Sequence, residues 1–168
     1  MTLIPRSDLQ FTDPQMSLTG GRDVVAPQGT MIVMTHLLDP DALMAWLPPK
    51  GMTARFERFD PRPGGSYRLV LTYADASDAP GKATPEADVV EARYIDIVPD
   101  LRVVQAVDCV SEDPAFAGTM TMTWEVTADQ CVTRVDIVAA DVPGGISGED
   151  HATGLASSLR NLAEHLER

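Results

Sequence analysis

Few side chains in this sequence stand where they could do chemistry. His151 is the titratable group best placed for it, since an imidazole changes charge near neutral pH. It lies one turn before Leu155 on the apolar stripe of the C-terminal segment, so helical spacing aims it at whatever covers that stripe. There it could orient a ligand or move a proton. With no carboxylate partner evident beyond its sequence neighbours Glu149 and Asp150, it reads more readily as a solvated or hydrogen-bonded residue of a first helical turn. The other histidines, His36 and His165, form no HxxxH-type pair with it, and Cys109 and Cys131 lack metal-ligand spacing. No nucleophile motif, phosphate loop or dinucleotide fingerprint occurs. The sequence therefore predicts no catalytic residue, no metal and no cofactor. Asp60, Arg62 and Arg68 gather about Pro61-Arg62-Pro63-Gly64-Gly65, where charge fixes a turn more readily than it drives a reaction.

Binding surfaces are easier to find. In 118–126 Met120, Met122 and Trp124 alternate with Thr119, Thr121, Thr123 and Glu125, the pattern of a half-buried strand. Thioethers repack readily, so this face suits an adaptable ligand wall, or it packs directly on a helix. Tyr67, Leu69, Leu71 and Tyr73 share a face in the same way.

The element that must position these groups is the segment 147–168. Leu155, Leu159, Leu162 and Leu166 recur at helical spacing, and Ser147 with Asp150 makes a capping-box start. Nearly everything periodic before Pro143 reads as strand, so a sheet must cover the stripe. Residues 1–16 read as an extended N-terminal arm, and 17–25 as a first strand that Gly20-Gly21 should bulge or bend. A helix is predicted over 28–38. Asp39 caps a second short helix, with Pro40 at its first position, ending at Leu47. Strands follow over 53–60, 66–73, 88–98, 101–110, 118–126 and 131–140, with a mobile loop at 74–86. One domain, 17–168, is expected.

Composition narrows the function classes. A net charge of −12 opposes nucleic acid and anionic membranes as partners. No apolar run approaches a membrane span, residues 1–10 make no secretory signal, and two isolated cysteines suit a reducing cytoplasm.

The order strand, two short helices, six strands, long helix is that of the α+β helix-grip fold, in which a curved antiparallel sheet grips a C-terminal helix. Ala26-Pro27, Leu38-Asp39-Pro40-Asp41 through Trp46-Leu47-Pro48-Pro49, and Phe59-Asp60-Pro61-Arg62-Pro63-Gly64-Gly65-Ser66-Tyr67-Arg68 resemble the START-like (SRPBCC) superfamily. The branch resembles homologues of the activator of the ninety-kilodalton heat-shock chaperone's ATPase, and Thr133-Arg134-Val135 is similar to its late Thr-Arg strand. Met31-Ile32-Val33-Met34 stands where that branch commonly has an aromatic, and Gln130-Cys131-Val132 where it has a glycine. The resemblance implies a cavity between sheet and helix, bordered by Trp46 and Met52. Tyr67, Tyr73, Met120, Met122, Trp124, His151 and Leu155 are expected around it. The leading expectation is a small hydrophobic or amphipathic ligand held there. The alternative is a protein partner bound at the outer surface, with a homodimer left open. An enzyme of cyclase or hydrolase type, polyketide-cyclase-like, comes third.

Overall fold

Among the described residues, eight strands form one antiparallel sheet in the order β1-β2-β8-β7-β6-β5-β4-β3. The computed structural model describes residues 7–12, 17–24, 29–73, 87–109, 111–129 and 132–167. The expected loop at 74–86, the Ala26-Pro27 break and Cys131 lie outside them. The strands are β1 (Ser7–Thr12), β2 (Ser17–Val24), β3 (Met52–Phe59), β4 (Ser66–Tyr73), β5 (Ala87–Val98), β6 (Arg102–Cys109), β7 (Gly118–Asp129) and β8 (Val132–Ala140). The helices are α1 (Thr30–Leu38), α2 (Pro40–Trp46) and α3 (Gly148–Leu166). This is the helix-grip, START-like architecture.

Two expectations change. The segment read as an arm supplies β1, which pairs with β2 from Ser7↔Arg22 to Thr12↔Ser17. Its short length and the prolines on either side hid the strand from any periodicity. Gly20-Gly21 produces no bulge, because β2 keeps unbroken register with both β1 and β8 through those residues. β2 is also the strand on which α3 packs. The register shifts fall instead between Phe56 and Arg58 and between Tyr94 and Asp96.

Local chemistry sets the helix starts. The Asp39 side chain accepts from Ala42 N at 2.9 Å with Pro40 behind it, and Ser147 Oγ accepts from Asp150 N at 3.0 Å. Each cap satisfies one amide that the helix leaves open. From Ser147 the stripe Ala152, Leu155, Leu159, Leu162 and Ala163 is buried in one core with Val126, Val135, Ile137 and Ala139 of the sheet. Asn161 Nδ2 donates to Pro48 O at 3.3 Å, tying α3 to the segment after α2. The turn 60–65 is fixed by backbone: Gly64 N donates to Tyr94 O at 2.8 Å and Tyr94 N to Gly65 O at 2.9 Å. Gly64 has φ +83°, and a Cβ on Gly65 would lie 2.2 Å from Asp60 O. Only glycine fits either place.

Two stability outcomes follow. Leu159→Ala, emptying a side chain that is 2% exposed, should cost about 2–5 kcal/mol in chemical denaturation. Gly65→Ala should cost about 1–3 kcal/mol by overpacking, whereas alanine at Gly154, which has open space around it, should be neutral or stabilising.

Candidate functional site

The interior cavity sits where the two short helices close over the sheet. Leu37 of α1, Leu43 and Trp46 of α2, and Leu47 form one wall; Tyr67, Val103, Gln105 and Trp124 form the other. Its volume is about 30 Å³. The Trp46 indole donates to His36 O at 3.0 Å, which joins α2 to α1 and leaves the ring edge-on to Trp124, with centroids 5.6 Å apart and planes at 75°. An indole buried with its N–H satisfied is the arrangement that a packed interior requires.

Three polar groups are buried among these aromatics. Tyr67, Tyr94 and Gln105 stand on the neighbouring strands β4, β5 and β6, with Tyr94 directly opposite Gln105. Burial pushes the Tyr67 phenol up to about 12, partly offset by a hydrogen bond with Gln105. Burial likewise raises Tyr94, with the Tyr67 charge adding to it. The Tyr94 hydroxyl feels the Gln105 dipole yet has no partner in hydrogen-bonding geometry among the described residues. Phe56, Phe59, Tyr67 and Tyr94 continue as an aromatic chain, with centroids 4.7 Å apart for the phenylalanines and 5.7 Å for the tyrosines.

Of the residues expected around a cavity, Trp46, Tyr67 and Trp124 meet here. Met52 lies apart, in a surface depression of about 240 Å³ shared with Lys50, Asn161 and His165. Met120 and Met122 are partly buried and pack on the core, and Leu155 is in the core itself. Tyr73 is half-buried, and its hydroxyl donates to Asp88 Oδ2 at 3.1 Å. His151 is half-buried in the first turn of α3. The expected charge cluster divides. Arg62 pairs with Asp60 at 2.8 Å, while Arg68 reaches Glu57 and Glu91 on the sheet. Arg68 and Arg58 hold the Glu91 carboxyl below its ordinary range.

Gln105 and Tyr94 were missed at the sequence level, although the signal existed. Val103, Gln105 and Val107 share one strand face, so a glutamine stands in a buried apolar register. A second feature was also missed: an open groove of about 410 Å³ between the outer side of α1, the start of α2 and the β5–β6 turn. Among the described residues no cluster of three or more metal-ligating side chains occurs, and no helix is long and apolar enough to cross a membrane.

The buried phenol sets a pH outcome. The Tyr67 proton is held more tightly in the folded chain than in the unfolded one, so its contribution is complete below about pH 10 and is lost as pH rises through about 12. Tyr67→Phe should remove a loss on the order of 3 kcal/mol from alkaline denaturation. In a Tyr73→Phe background, which removes the half-buried phenol, tyrosinate absorbance should then rise together with unfolding rather than before it.

The fold recurs in solved structures. A protein of Chromobacterium violaceum is 27% identical and aligns over 93% of this chain and 99% of its own, with a TM-score of 0.78. One from Arthrobacter aurescens gives a TM-score of 0.78 at 15% identity, over 95% of this chain and 91% of that one. One from Rhodobacter sphaeroides gives 0.73 at 18% identity, over 96% and 98%. No curated protein matches the sequence. The family model described as "Activator of Hsp90 ATPase homolog 1-like protein" matches residues 32–167, and with that match over the two helices, the sheet from β3 onward and α3, the chain belongs to this START-like family.

Proposed function

We propose that this chain is a protein-interaction module of the chaperone-activator kind, working through its outer surface in the cytoplasm. The observation that carries this reading is a contrast of volumes. The cavity between Trp46 and Trp124, at about 30 Å³, has room for one or two waters. Pockets that enclose drug-sized ligands run to roughly 300–1,000 Å³. The groove outside α1, at about 410 Å³, is larger and lies open at the surface, where a protein segment could reach it. The net charge of −12 weighs against nucleic acid and anionic membranes as that partner. The family match supports a ninety-kilodalton heat-shock chaperone as the first partner to test.

A second reading, a small ligand with a polar end bound inside the grip, has one observation behind it. The Tyr94 hydroxyl and Gln105 are polar groups buried in an otherwise apolar interior. Such groups usually orient something or bind water.

The two readings separate in one pair of measurements. The chaperone purified from the same host should hydrolyse ATP several times faster with this chain present, and native mass spectrometry of the chain from that host should show the bare polypeptide mass. No change in ATPase and no binding by calorimetry, with a small molecule retained in the spectrometer, would replace the first reading by the second.

A further inference from the structure

We infer that the groove outside α1 receives a short cationic amphipathic segment of a partner protein, an inference that rests on reading the chain as an interaction module. α1 is apolar on almost every side, with Met31, Ile32, Val33, Met34, Leu37 and Leu38 in nine residues. Such a helix is ordinarily covered all round. Its inner side is covered: Val33, Met34 and Leu37 are buried. Its outer side is not, and Met31 is 65% exposed, the most exposed large apolar side chain among the described residues. Leu101, next to the groove at the β5–β6 turn, is 49% exposed.

The lining says what would fit. Met31, Leu38, Pro40, Ile97 and Pro99 supply an apolar floor, with the adaptable thioether of Met31 exposed on it and the edge of the buried Met34 beneath. The charged residues of the lining are Asp39 and Asp100, and no lysine or arginine is among them. Asp41 of α2 adds an exposed carboxylate nearby, and the nearest arginine along the hairpin, Arg102, is engaged with Asp96 at 3.4 Å. An apolar floor with an acidic rim complements a helix carrying leucine-like residues at i, i+3, i+4 and i+7 and lysines or arginines beside them. A second copy of this chain is a poor occupant, since each copy carries −12 and would set aspartate against acidic surface.

The test uses the full chain and two synthetic helical peptides with the same leucine face, one bearing lysines and the other glutamates, followed by fluorescence anisotropy at physiological salt. The lysine peptide should bind and the glutamate peptide should not. Met31→Gln, at an exposed position that folding does not need, should weaken binding by about tenfold, the size of withdrawing one apolar contact. Asp100→Asn keeps a residue that tolerates φ +60° and should weaken it by roughly threefold. Undiminished binding to both variants would mean adhesion by net charge and would overturn the proposal. So would a dimer in sedimentation velocity that Met31→Gln dissociates. Chaperone stimulation that survives Met31→Gln overturns the groove but leaves the interaction module standing; the absence of stimulation in the wild type overturns the module itself.

Discussion

The apolar stripe of α3 has to be covered, and the way it is covered determines most of the rest. Ala152, Leu155, Leu159, Leu162 and Ala163 make one continuous buried line, and a flat sheet cannot wrap a helix on more than one side. The sheet therefore curves. At its β1–β2 side the helix lies on the strands themselves, and at the opposite side α2 reaches it. Trp46 closes that end, with its indole tied to α1 and its ring against Trp124. Each link buries apolar surface that the previous one exposes.

That closure has a consequence for function. The aromatic groups that resemble a ligand wall are spent on one another: Trp46 on Trp124, Tyr67 on Phe56 and Tyr94. What remains between them is a space for water, edged by Gln105. Apolar area unsatisfied by the core appears instead outside α1, on the side of the helix that bears Met31. A single nine-residue helix thus seals the interior with one side and presents a surface with another.

Much of this could be read before any coordinates. The α3 leucine spacing, the Ser147 and Asp39 caps, the alternation in β4 and β7 and the glycine turn are local signals, and local signals reflect local physics. β1 could not be read, because a six-residue edge strand depends on its partner rather than on its own pattern. The site was legible in part. Trp46, Tyr67 and Trp124 do converge, but how much space three large rings leave is a question of packing that spacing cannot answer. The groove was missed for the same reason: Met31 looks like any core methionine until the neighbouring elements are seen to leave it uncovered.

The methionines report directly on where a partner or ligand binds, since Met31 is exposed in the outer groove while Met120 and Met122 pack on the core. Methyl-labelled methionine NMR of the full chain, titrated with the lysine peptide or the purified chaperone, distinguishes the two regions in one spectrum. An outer-surface module predicts that the Met31 methyl shifts and those of Met120 and Met122 stay in place. Shifts at Met120 and Met122 on adding a small hydrophobic ligand, with Met31 unmoved, would contradict it.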